Sequence, residues 1–307
     1  MIAGRHRAQL NKAAQEVVRR VCREQLGRMS RPPTREIDFV ASLVVNGADL
    51  LQTEWEPILA QENITIKVGG VFCHQSPMVE IKATPPYSVP RLRCELADLL
   101  VLHSHSRSDG KVFQRGVLMQ AKSDPGQPVK PGEPQLWLYR HWPNFVITSP
   151  GFDRRTRTCG GDQRSGRYAL VSNKGWRVLS ASDPLARNSR DGLDLSEFLV
   201  NMLYDIDPAQ RNRTSAHGRQ VYQNSKKDWS PTIRELLEVT GVRALRYKGL
   251  YASELSRLGG EVLQMILHVA IPPSLAPPGH VGVETGEGGG EGISILVIAT
   301  RSLDSMR

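Results

Sequence analysis

Two apolar segments lying close together limit what this chain can become. Residues 96–102 read Leu-Ala-Asp-Leu-Leu-Val-Leu, and residues 116–122 read Gly-Val-Leu-Met-Gln-Ala-Lys. Runs of this length, bounded by turn residues, suit strands buried on both faces. The polar stretch from His103 to Gly110 turns the chain between them, and Asp124-Pro125-Gly126 ends the second. Strands covered on both sides need other layers of structure, so the expected fold class is mixed α/β (α+β).

The flanking sequence supplies those layers. Leu10, Ala13, Ala14, Val17, Val18 and Val21 recur at helical spacing and predict a helix over 8–27. After the break at Ser30-Arg31-Pro32-Pro33, a second helix is expected over 35–60, interrupted or bent at Gly47. Alternation then predicts strands at 64–68, at 71–73 after a Gly-Gly turn, and at 78–82. A short helix is expected over 134–142 and a strand over 145–148. Beyond Pro150 the pattern gives strands at 167–172 and 175–180, and helices near 195–204 and 230–239. Late strands follow at 263–271 and 293–300, with a Gly/Glu loop at 282–292. No internal repeat is present. The expected organisation is a basic N-terminal helix (1–33), a core (34–150) and a basic α+β extension (151–307).

Charge is unevenly placed. Lys and Arg number 40 against 31 Asp and Glu, a formal charge of +9. Residues 1–35 alone carry nine Lys/Arg against Glu16 and Glu24. A second stretch, 154–190, carries nine against Asp162 and Asp183. Such fields attract polyanions, although a solvated basic surface has the same composition. No apolar run approaches the ~20 residues that span a bilayer, and the N-terminus lacks a signal-like apolar core. Cys22, Cys73, Cys94 and Cys159 form no C-x-x-C pair, which points to a reducing, cytoplasmic setting.

Asp98 and Lys122 are the anomalies of the two apolar segments. A buried carboxylate without a partner costs several kcal/mol and tends to protonate (about 2–7 kcal/mol for a polar group, more for a charge). Gln120 and Lys122 are two apart, so on a strand they share a face. If the strands are neighbours, Asp98, Gln120 and Lys122 converge, and oxygens from Asp98 and the Gln120 amide suit a hard cation such as Mg²⁺ or Mn²⁺. Lys122 would then orient a water or offset phosphate charge. The plainer arrangement is a structural Asp98–Lys122 ion pair, which seldom stabilises more than apolar packing does.

Asp98 on one strand and Gln120-Ala121-Lys122 on the next resemble the PD-(D/E)XK, or restriction-endonuclease-like, nuclease superfamily in its Q-x-K variant. The resemblance covers about residues 35–150, whose predicted elements follow that family's α-β-β-β-α-β order. It implies a central mixed sheet flanked by helices and hydrolysis of phosphodiester bonds in nucleic acid, DNA being the expected form. Asp98, Gln120 and a helix carboxylate would hold the metal and Lys122 would assist catalysis. For the helix carboxylate Glu54 is the first candidate, with Glu56, Glu36, Glu80 and Glu95 as alternatives. Gln120 stands where the family usually has an acid, so the site carries one negative charge fewer.

Arg115 and the basic-stretch residues Arg154, Arg155, Arg157, Arg164 and Arg167 are the candidates for gripping the backbone. An anti-phage or restriction role fits uncharacterised bacterial members of the superfamily. The alternative is a non-catalytic nucleic-acid-binding module, or a subunit of a defence or repair complex, built on a degenerate core. Homo-oligomer formation is compatible with either; a membrane partner is not expected.

Other signals are weaker. His103-Ser104-His105 has metal-ligand spacing but no companion ligands, so a loop is expected there. The 282–292 loop lacks the Lys-Ser/Thr of a P-loop, and no G-x-S-x-G precedes a helix. Trp137, Tyr139, Trp142 and Phe145 could stack bases, but their spacing suits a core.

Overall fold

A computed structural model describes residues 4–25, 32–73, 76–82, 92–124, 133–179, 192–204, 217–222, 225, 229–246 and 292–303. The expected strand at 263–271 lies outside these residues, as does the 282–292 loop apart from Gly292.

The first helix, α1 (Gly4–Arg23), buries Leu10, Ala14, Val17, Val18 and Val21 along one stripe. The second helical region is continuous but not uniform. It comprises α2 (Glu36–Ser42), one π-helical stretch (Leu43–Gly47) and α3 (Ala48–Ala60). The bend expected at Gly47 is thus an extra-wide turn that ends at that residue. Two internal bonds fasten α1 to this unit: Trp55 Nε1 donates to the Leu10 carbonyl (3.0 Å) and Ser42 Oγ to the Val21 carbonyl (2.7 Å).

Next come β1 (Ile64–Val71), β2 (Met78–Ile81), β3 (Arg93–Glu95), β4 (Leu99–Ser106) and β5 (Val112–Ser123). After α4 (Pro134–His141) lie β6 (Phe145–Ile147), β7 (Thr156–Arg157), β8 (Gly166–Ser172), β9 (Gly175–Val178) and β10 (Leu193–Asp194). The remaining elements are α5 (Leu195–Tyr204), β11 (Arg219–Val221), α6 (Ser230–Arg246) and β12 (Ser294–Ser302).

Two sheets result. The larger has eight strands, in the order β1-β12-β4-β5-β8-β9-β10, with β11 on the free half of β5. It is mixed: β12 is parallel to β4 and β8 is parallel to β5, and the other pairings are antiparallel. The smaller sheet runs β3-β2-β6-β7. Leu99 to Leu102 are completely buried, as the apolar run required. Alternate side chains serve two cores. Leu99, Val101, Val117 and Met119 pack with α1, α3 and α5. Leu100, Leu102 and Leu118 pack with α4, α6 and the smaller sheet. No described helix is long and apolar enough to cross a membrane.

Several expectations change. Position 150 is no boundary in the sheet, because β8, β9, β10, β11 and β12 all join it, and α1 lies in the same core as α3 and α5. The strand expected after α4 exists as β6 but pairs with β2 in the smaller sheet; β8 takes the place parallel to β5. His103 to Ser106 continue β4 rather than opening a loop. Gly69-Gly70 is not a turn either, for β1 runs through it against β12. The reason for glycine at 70 is proximity: a Cβ there would lie 1.8 Å from the Val44 carbonyl oxygen of the π-helical stretch.

Gly70→Ala is therefore expected to destabilise by about 3 kcal/mol through overpacking against main chain. Gly110→Ala, at a turn with φ +78° and open space around it, should cost about 1–2 kcal/mol from backbone conformation alone. Denaturant midpoints of the two variants check this order.

Candidate functional site

The site forms where β4 begins and β5 ends. Asp98 is not within the strand but occupies a bend one residue before it, its N–H donating to the Met119 carbonyl (3.0 Å). The bend turns the carboxylate across β5. Oδ2 accepts the Ala121 N–H (2.8 Å) and the Gln120 amide, and Oδ1 accepts the Ser76 hydroxyl (3.2 Å). Gln120 is buried, and its Oε1 accepts from Gln135 Nε2 of α4. The same Gln135 nitrogen donates to the Glu95 carbonyl (3.0 Å). Tyr139, one turn along α4, donates its hydroxyl to the Leu96 carbonyl (2.8 Å).

This chain of bonds fixes both amides. A carbonyl only accepts, so Gln135 must turn its NH₂ toward Glu95. It therefore donates to the Gln120 oxygen, and Gln120 is left with its own NH₂ facing Asp98. One backbone carbonyl orients two side chains and supplies the carboxylate with a donor.

Burial pushes the Asp98 carboxyl up to about 7 from its ordinary 3.8, the Ala121 N–H opposing; the Glu95 charge adds to the rise, and Lys122 and Ser76 oppose it. Asp98 is thus short of positive charge. Lys122 is half-buried and, two residues from Gln120 on β5, shares its face. It acts on Asp98 through space without forming an ion pair with it, so the simple structural pair is not what this arrangement contains.

The helix carboxylates are distributed differently from expectation. Glu54, the first candidate, is exposed on α3, which packs on β1, two strands away from β4. Glu56 is exposed on the same helix, and Glu80 pairs with Lys82 (2.5 Å) in the smaller sheet. Glu36, the first residue of α2, is the one that reaches the end of β5, where Oε1 accepts the Ser123 N–H (2.7 Å). Helix entry, not helix exit, meets the carboxyl end of β5. Glu95 closes β3, in the other sheet from Asp98, so strand parity does not relate the two. Gln135, in the first turn of α4 beside Pro134, carries no sequence signal of its own, and the His74-Gln75-Ser76-Pro77 segment is marked in sequence only as a turn closing a strand that could lie near the site.

Oxygen donors at a carboxylate short of positive charge fit a hard cation in kind. Among the described residues, however, no group of three or more His, Cys, Asp or Glu could hold a metal ion. An ion at Asp98 would thus depend on water and substrate phosphate, a mode magnesium uses, because the Gln120 oxygen is turned to Gln135 and its NH₂ to Asp98.

Most of the candidate phosphate-gripping arginines are engaged internally. Arg157 is buried and forms a forked pair with Glu235 (2.7 Å), while also donating to the Asp153 and Arg155 carbonyls. Arg164 pairs with Asp162 (2.6 Å), Arg167 donates to the Gln163 carbonyl (3.1 Å), and Arg115 to the Gly218 carbonyl (3.3 Å). Arg154 and Arg155 are exposed, the latter 3.7 Å from Glu235.

The histidine pair belongs to a different network. His103 Nδ1 faces the Met202 carbonyl (3.0 Å), and its Nε2 meets Thr300 Oγ1 (2.9 Å), which also meets His105 Nδ1 (2.9 Å). Since the carbonyl accepts, Nδ1 of His103 carries the hydrogen and Nε2 accepts from Thr300. Burial pushes His103 down to about 3, keeping it neutral. Tyr139, Trp142 and Phe145 are core residues, with Tyr139 stacked on Trp142 at 5.5 Å.

Two outcomes follow from these contacts. Because the folded Asp98 carboxyl is raised from 3.8 to about 7, its contribution is favourable below about pH 4 and is lost as pH rises through about 7. Asp98→Asn, whose single oxygen can still accept from Ala121 and Gln120 while its NH₂ faces the Ser76 hydroxyl, should gain on wild type by on the order of 4 kcal/mol across that window. Chemical denaturation at acidic and alkaline pH checks the sign. Arg157→Ala should cost about 3–5 kcal/mol by stranding Glu235, and Arg154→Ala within about 0.5 kcal/mol; thermal melts of both variants compare them. No protein-family model, curated protein or solved structure matches the chain.

Proposed function

We propose that this protein is a metal-dependent nuclease of the PD-(D/E)XK kind, hydrolysing phosphodiester bonds in nucleic acid, with DNA as the expected substrate. The observation that carries the reading is the gathering of Asp98, Gln120 and Lys122 on one face at the adjoining ends of β4 and β5. The order of elements supports it too: a helical unit, β1, the β4–β5 hairpin, α4, then a strand parallel to β5. Three departures stand beside this support. β12 separates β1 from β4, β2–β3 pass through a second sheet between β1 and β4, and β6–β7 pass through it before β8.

In this reading Asp98 would hold Mg²⁺ or Mn²⁺, with Glu36 rather than Glu54 as the helix carboxylate at that end of the sheet; the Gln120 oxygen, held by Gln135, would join them only after its amide turns over. When bound, the ion would supply charge stabilisation at the phosphate and a more acidic water. The chain's own contributions are clearer. Asp98, largely buried and short of positive charge, offers the negative pole. Lys122, without an ion pair among the described residues, is placed to offset charge on the phosphate or orient the attacking water. Gln135 sets which atom of Gln120 faces Asp98.

That last point also favours a second reading. The Gln120 NH₂ occupies the position from which an acid would offer oxygen. A nucleic-acid-binding module on a degenerate core, acting alone or within a defence or repair complex, would keep this closed arrangement.

Incubating plasmid DNA with the protein and Mg²⁺, and then with EDTA, separates the two. Cleavage is expected with Mg²⁺ only, and Asp98→Ala and Lys122→Ala should each lose about 100-fold or more. Equal nicking by wild type and both variants would sink the nuclease reading. Salt-sensitive binding without cleavage would favour the second.

A further inference from the structure

The two basic stretches, far apart in sequence, meet around one cavity. It has a volume of about 300 Å³ and lies between α1, the β8–β9 hairpin and the start of α5. Arg19 comes from α1; Lys174 and Arg177 come from the hairpin. Ser172 and Ser196 add hydroxyls, and Trp176 gives an apolar wall. Arg23 donates to the Asn173 carbonyl (3.0 Å), which holds α1 against the hairpin turn and keeps Arg19 beside Lys174. The acids Asp124 and Asp194 also line the cavity, leaving cations in surplus by one.

Its position relates it to the candidate site. Asp124 follows β5 directly, two residues past Lys122, and the lining residue Leu170 is the β8 partner of Lys122. The cavity therefore opens at the carboxyl ends of the parallel pair β5 and β8, where α/β sheets commonly receive ligands. Exposed Lys12 and Arg23 continue the positive surface along α1, while Arg20 pairs with Glu24 (2.9 Å).

We propose that this cavity, on the α1 and α5 face at the end of β5 that carries the candidate site, seats one phosphate-bearing nucleotide of a nucleic-acid strand. Arg19 and Lys174 contact the phosphate backbone, and the continuation of charge along α1 favours a polymer over a free nucleotide. The proposal rests on the nucleic-acid reading above, but concerns binding and not hydrolysis.

The test is fluorescence anisotropy of a labelled single-stranded DNA oligonucleotide with the full-length protein in EDTA, so cleavage plays no part. Arg19→Glu with Lys174→Glu should weaken binding about tenfold or more and flatten its salt dependence. Arg19→Gln with Lys174→Gln should give a smaller loss in the same direction, with unchanged circular dichroism. Lys67→Glu with Arg301→Glu, an equal charge change at exposed positions on β1 and β12 away from the cavity and from α1, should weaken binding less than about threefold. Equal loss in both charge-reversed pairs, no binding by wild type, or competition by a mononucleotide as effective as the strand would each overturn the proposal. Absence of cleavage with Mg²⁺ would count against the nuclease reading while leaving this binding result intact.

Discussion

The insertion of β12 between β1 and β4 is the constraint on which the architecture turns. Along eight consecutive residue pairs it bonds antiparallel to β1, and along eight it bonds parallel to β4. α3 packs on β1, while the candidate site begins at β4. Among the described residues, β12 is the strand between β1 and β4. Its residues 294–298 are almost wholly buried, and they feed both cores alternately: Leu296 and Ile298 on one face, Ile295 and Val297 on the other. Contacts of such wide sequence separation demand costly loop closure, so sheet completion is expected to govern the folding rate.

Local sequence carried most of the elements and little of the pairing. The strand segments at 64–68, 99–102 and 294–300 announce themselves by apolar content, and α4, α5 and α6 by periodicity. Nothing in those patterns says that β12 intrudes between β1 and β4, because apolar strands buried on both faces are interchangeable in composition. Gly69-Gly70 misled for a related reason. Glycine marks either a turn or a close approach, and only the neighbouring π-helical stretch, which brings the Val44 carbonyl down onto Gly70, decides which.

At the candidate site the legible part was the parity of Gln120 and Lys122 and the oddity of Asp98. The helix carboxylate was not legible. Choosing Glu54 assumed that the helix leads into the sheet at the site, whereas α3 leads to β1 and the N-terminal turn of α2 touches β5. The arginines show the limit of counting charge. Arg157 and Arg164 raise the local positive tally, yet both are neutralised within the fold, and Arg19 and Lys174, which meet at a cavity, come from different segments. Formal charge says how much a surface repels or attracts on average, and the pairing inside the fold decides where.

The central place of β12 has a consequence for assembly. It is reached through residues 247–291, and the slot it fills is bordered by two strands belonging to a distant part of the chain. Backbone hydrogen bonds on the two sides of that slot do not distinguish one molecule's β12 from another's. Exchange of this strand between two copies of the chain would therefore leave every ladder bond of the sheet intact.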